Sequence, residues 1–130
     1  MARQKTSAPS QRMLRVGEEL RHIMSETLRR GAFDDALLFE VANTVTISQV
    51  TVSPDLRYAT GYVMTLGGLR LEETLEALNN SAYAFQHDIG KGVKMRTTPR
   101  VRFLVDTSYD EADKINRILR NIGDTQSQPE

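Results

Sequence analysis

Cysteine is absent from the 130 residues, which removes disulfides, thiolate nucleophiles and cysteine-ligated zinc. No apolar run approaches the roughly eighteen residues that a membrane helix needs. Residues 1–11 carry basic side chains with no apolar segment behind them, so they do not read as a secretory signal. Histidine occurs only as His22 and His87, on what read as different helices, with neither a nucleophile elbow nor a ligand cluster beside them. Gly67-Gly68 and Gly90-Lys91-Gly92 lack the Lys-Ser/Thr ending of a phosphate loop and the spacing of a dinucleotide fingerprint. No catalytic constellation can be assembled from these residues, and what remains is a single domain, cytoplasmic by default, whose 39% hydrophobic residues suffice for one core.

Net charge is lacking too, since 17 Lys/Arg balance 17 Asp/Glu, but the balance is uneven along the chain. Residues 1–30 hold seven cations against three anions and residues 81–105 hold five against one. Residues 31–80 hold two against seven, and residues 106–130 three against six. If the two positive blocks meet in space they make one electrostatic footprint for phosphate; otherwise they are solvated faces.

The pattern of elements is α-β-β-α(α)-β with a short C-terminal helix. Residues 1–10 read as a basic arm. Met13, Val16, Leu20, Ile23 and Thr27 recur at helical spacing after Ser10, a candidate N-cap, and Gly31 ends the helix. Residues 32–43 read as an irregular connector with about one helical turn. Residues 44–53 are rich in β-branched side chains and form a strand. Val45 and Ile47 share one parity and Val50 and Val52 the other, so a bulge near Gln49 or a twist of the strand is expected. Ser53-Pro54-Asp55 is a turn, and Arg57 to Leu66 returns antiparallel, with Gly61 its weak point. Leu71, Leu75, Leu78, Ala82, Phe85 and Ile89 hold a helical period from Leu69 to Ile89. Asn79-Asn80-Ser81 mark a place for a kink. Ser108 and Glu111 have capping-box spacing before Ala112, Ile115, Leu119 and Ile122, and the tail 123–130 follows. Three strands cannot cover both faces of a sheet, so the helices are expected on one face.

The strongest functional signal lies after Gly90-Lys91-Gly92. Read as a strand, residues 93–105 put Val93, Met95, Thr97, Val101, Phe103 and Val105 on one face. Lys94, Arg96, Arg100 and Arg102 share the other. With Lys91 beside them and Arg12 and Arg15 opening the first helix, these cations suit the phosphates of a nucleic acid. Tyr58, Tyr62 and Tyr83 are candidate stacking surfaces, although core or hydroxyl-anchoring roles suit each as well.

Four short stretches occur in a recognisable order. They are Arg12-Met13-Leu14-Arg15-Val16; Thr44-Val45-Thr46 with Val50-Thr51-Val52-Ser53-Pro54-Asp55-Leu56; Met95-Arg96-Thr97-Thr98-Pro99-Arg100-Val101-Arg102-Phe103; and Asp106-Thr107-Ser108 through Glu111. Over residues 11–122 the chain resembles ribosome-binding factor A. The resemblance implies an α+β, KH-like domain of the bacterial (type II) topology that binds the free small (30S) ribosomal subunit. It implies assistance in late maturation, including processing of the 5′ end of 16S ribosomal RNA, without catalysis or a cofactor. It further implies a cytoplasmic monomer off the ribosome, with no DNA or membrane partner. The family's Ala-x-Gly kink between the central helices corresponds here to Ser81-Ala82-Tyr83, a departure that exchanges glycine for an aromatic ring. Gly90-Lys91 matches the family's Gly-Lys, and Lys94, Arg96 and Arg100 fall in its basic region. Ser81 and Tyr83 therefore join Arg12, Arg15, Lys91, Lys94, Arg96, Arg100 and Arg102 as candidate RNA contacts. The alternative is a ribosome-associated interaction or stress factor without a maturation role.

Overall fold

A computed structural model describes residues 9–31 and 33–108. The arm before Pro9, the capping partner Glu111, the stripe from Ala112 to Ile122 and the tail lie outside those residues.

The first helix, α1 (Gln11–Arg30), begins where Ser10 accepts the Met13 N–H at 3.1 Å and ends at Gly31, which takes the left-handed conformation at φ 66°. Its buried stripe runs through Leu20, Met24, Thr27 and Leu28. The connector holds one short helix, α2 (Ala36–Val41), capped by Asp35, whose carboxylate accepts the N–H groups of Leu37 and Leu38. Two strands follow, β1 (Val45–Val52) and β2 (Tyr58–Thr65), paired antiparallel. The register steps from Ile47 opposite Val63 to Gln49 opposite Tyr62, leaving Ser48 unpaired. This is the bulge that the parity change demanded, and it brings Val45, Ile47, Val50 and Val52 all into the core. It also re-aims Ser48, whose hydroxyl reaches the Asp106 carboxylate and the Tyr62 carbonyl.

The long helical region is two helices, α3 (Leu71–Asn80) and α4 (Ala82–Gly92), joined at Ser81 with φ −106° and ψ 17°. The Ser81 N–H still reaches the Ala77 and Leu78 carbonyls, so the apolar period survives the bend. The second helix does not stop at Gly90. It closes with the Val93 N–H on the Ile89 carbonyl, and its glycines serve close packing. A Cβ on Gly90 would stand 3.2 Å from Thr98 Oγ1, and one on Gly92 would stand 3.1 Å from Ile23 Cδ1.

The last strand, β3 (Arg100–Val105), runs parallel to β2 in a mixed sheet of order β1-β2-β3. It is shorter than the alternation implied, and Lys94 and Arg96 are not on it. The ladder opens with Arg100 opposite Tyr58, because the chain before Tyr58 is turning and offers no partner for residues 93–99. Buried Pro99, which has no N–H to donate, marks the boundary. Helices α1, α3 and α4 cover one face, where Phe85 packs edge-on against Phe103 at 4.9 Å and beside Phe33 at 5.5 Å. Tyr58, Tyr62, Met64, Arg100, Arg102 and Leu104 share the opposite face.

The outer edge of β3 is closed by side chains. Asn79 Oδ1 accepts the Phe103 N–H at 2.8 Å while its Nδ2 donates to the Phe103 carbonyl at 3.1 Å. Gln86 Oε1 accepts the Val101 N–H at 2.8 Å. These amides imitate a neighbouring strand and blunt the edge. Asn79→Ala strands both Phe103 groups at a partly wet site and is expected to lower unfolding free energy by about 1–2 kcal/mol in urea denaturation. An unchanged midpoint would show the clamp to be dispensable.

Candidate nucleic-acid interface

Pairing sorts the basic side chains. Arg21 is held by Glu18, Arg29 by Glu26, Arg30 by Asp88, and Arg70 by Glu40 and Glu73. Among the described residues, Arg12, Arg15, Arg57, Lys91, Lys94, Arg96, Arg100 and Arg102 make no ion pair, and all eight are exposed. Their charge is available to a partner.

A groove of about 640 Å³ gathers four of them where the start of α1, the β1–β2 turn and the 93–97 segment meet. Arg12, Arg57, Lys94 and Arg96 line it against two carboxylates, Glu19 and Asp55, so its balance is positive. Asp55 is held below the usual carboxylate range by the Ser53 hydroxyl and then by the Arg57 N–H, and it remains ionised at neutral pH. The Ser53–Arg57 turn is rigid for its size. Ser53 Oγ accepts the Arg57 and Tyr58 N–H groups at 3.1 and 3.0 Å, and Leu56 N–H donates to the Ser53 carbonyl at 2.8 Å. Leu56 sits at φ 62°, a left-handed conformation unusual for leucine. Burial of its side chain, worth about 1.5–3 kcal/mol, offsets a strain cost of about 1–3 kcal/mol.

Arg100 and Arg102 stand apart from the groove on the open sheet face, where Arg102 Nε donates to Thr60 Oγ1 at 3.2 Å. The two sets adjoin at Arg57, whose carbonyl accepts the Arg100 N–H at 2.8 Å. Arg15 is exposed one turn beyond Arg12 and does not line the groove. Lys91 faces a different hollow between α1 and α4, with His22, Arg30 and Asp88. Ser81 is 3% exposed, so its side chain belongs to the helix join and is not presented to solvent as an RNA contact. Tyr83 is 58% exposed, with its hydroxyl 3.4 Å from Asp34 Oδ2, and lies roughly 14 Å along α4 from Gly92. The single row of four cations is thus replaced by a groove and a sheet face. Arg57 was missed because it sits in the acidic block 31–80, where the local count concealed it.

Among the described residues no group of three or more His, Asp or Glu is placed to hold a metal ion, and no helix is long and apolar enough to cross a membrane.

Residues 12–119 match the family model of ribosome-binding factor A. The chain is 41% identical over 113 residues to ribosome-binding factor A of Xanthobacter autotrophicus, covering 87% of this chain and 74% of that one. It is 44% identical over 123 residues to the Mesorhizobium japonicum protein of the same name, covering 93% and 82%. The solution structure of a Thermotoga maritima protein assigned to ribosome binding factor A superposes with TM-score 0.64 at 29% identity, covering 78% of this chain and 92% of that one. A homology model of Thermus thermophilus ribosome binding factor A, as fitted into the cryo-EM map of a 30S complex, shares the fold, with TM-score 0.54 at 22% identity over 70% of this chain and 91% of that one.

Proposed function

This chain belongs to the ribosome-binding factor A family, and from that premise we propose that it binds the free small ribosomal subunit and assists its late maturation, including processing of the 5′ end of 16S ribosomal RNA. Members of the family are non-catalytic. The element order is α-α-β-β-α-α-β; with the six-residue α2 counted as part of the connector it becomes α-β-β-α-α-β, and this order, with the Ser81 join between the central helices, supports a KH-like domain of the type II topology. A cytoplasmic monomer off the ribosome fits this role.

The observation that carries the reading is the positive groove. Arg12, Arg57, Lys94 and Arg96 arrive from three separate segments, free of ion pairs among the described residues, on a rigid turn and a helix start. Arg100 and Arg102 extend the cationic surface across the sheet, Arg15 stands one turn from Arg12, and Lys91 is exposed at the separate hollow between α1 and α4. Such a surface holds phosphates whose positions are set by RNA fold more than by base sequence. In cells lacking the protein, 16S precursor with an unprocessed 5′ end is expected to accumulate on free small subunits. Normal processing in such cells would contradict the maturation role and favour a ribosome-associated factor of another kind.

Tyr83 supplies the candidate stacking ring. Its exposure means that Tyr83→Leu is expected to leave thermal unfolding unchanged and to weaken subunit binding by up to about 1–3 kcal/mol. Equal affinity for the parent and the variant would remove Tyr83 from the interface.

A further inference from the structure

The end of the sheet opposite the groove has the reverse chemistry. The groove sits at the β1–β2 turn, whereas the start of β1 and the ends of β2 and β3 lie roughly 23 Å away along the strands. There, Leu66 and Leu69 are 73% and 71% exposed on either side of Gly67-Gly68. A cleft of about 520 Å³ opens beside them, lined by Leu66, Leu71, Met64, Val105 and Thr65 among others. Thr65 is 7% exposed, and its hydroxyl has no hydrogen-bond partner among the described residues. Among the described residues the charge here is acidic: Asp106 lines the cleft, and Glu40, Glu72 and Glu73 stand on the adjoining α2 and α3 with Arg70, which Glu40 and Glu73 already hold.

The loop is built to keep this arrangement. Gly67 and Gly68 adopt φ 68° and 74°, and Arg70 adopts φ 52°, unusual for a residue with a side chain. The ion pairs of Arg70 to α2 and to the first turn of α3 hold it there, and the leucines on each side stay outward. Two large apolar side chains held in water beside an open cleft mark a contact surface. An acidic rim repels phosphate, so RNA and anionic lipid are poor occupants. A polypeptide that inserts an apolar side chain between flanking lysines or arginines matches both the leucines and the carboxylates.

We infer that this end docks a basic protein of the small subunit while the opposite end holds its RNA. The inference rests on the proposed function, and the test separates the two. A photoreactive amino acid is placed either at Thr97, which lines the groove, or at Leu69, and each protein is irradiated on purified free small subunits. The Thr97 probe is expected to give a nuclease-sensitive adduct with ribosomal RNA. The Leu69 probe is expected to give a nuclease-resistant, protease-sensitive adduct with a basic subunit protein. The pair Leu66→Ser and Leu69→Ser is expected to weaken subunit binding about tenfold with unchanged thermal unfolding and an unchanged salt slope. The docking inference is overturned if the Leu69 adduct is to RNA or to this chain's own residues 109–130. It is equally overturned if Leu69 gives no adduct while Thr97 does, or if the leucine pair binds like the parent. Failure of the protein to co-sediment with subunits overturns the docking inference and the proposed function together.

Discussion

Gly17→Ala is expected to destabilise the protein by on the order of 2 kcal/mol, although it places a better helix former in the middle of a 20-residue helix. On propensity alone the substitution stabilises by up to about 1 kcal/mol. Packing reverses the sign. A Cβ on Gly17 would stand 2.5 Å from the Val50 carbonyl oxygen, a backbone atom of β1 that no side-chain rotation can move aside. To accommodate it α1 must lift from the sheet, and the contacts of Leu20 and Met24 with the core loosen along with it. The midpoint of thermal unfolding is expected to fall by roughly 5–10 °C, with a larger fall for Gly17→Val. His22→Ala, on the exposed side of the same helix, should change little. A stabilised Gly17→Ala protein would mean that α1 and β1 do not approach as closely as the fold requires.

The elements that could be read in advance were those with a periodic signal and a local terminator. Ser10 and Gly31 bracket α1, and the parity change in Val45–Val52 located a bulge to within one residue, because burying four aliphatic side chains on one face admits few alternatives. The stretch from Val93 to Pro99 misled for a related reason. It alternates as a strand does, but alternation says nothing about whether a partner strand is available, and β2 begins too late to pair with it. The packing roles of Gly17, Gly90 and Gly92 are equally invisible locally, since each depends on an atom far along the chain. The candidate site followed the same division. Arg12, Lys94 and Arg96 stood out by their charge blocks, whereas Arg57 joins them only because the β1–β2 turn folds back beside α1. Which arginines are quenched by carboxylates is likewise a matter of geometry, as the Arg30–Asp88 pair between α1 and α4 illustrates.

The groove residues are expected to hold phosphate. Arg57→Gln, Lys94→Gln and Arg96→Gln combined are expected to leave thermal unfolding nearly unchanged, because exposed, unpaired cations contribute little to stability. Their effect belongs to binding. Each cation that neutralises a phosphate releases condensed counterions, contributing about 0.7–0.9 to the slope of log affinity against log salt. Removing three such contacts flattens the slope by about 2–3 and weakens binding most at low salt, where counterion release favours it most strongly. The decisive measurement is therefore the affinity of the parent and the triple variant for purified free small subunits across a series of salt concentrations. Weaker binding with a flatter slope for the variant is the expected result; superimposable lines for the two proteins would contradict the account.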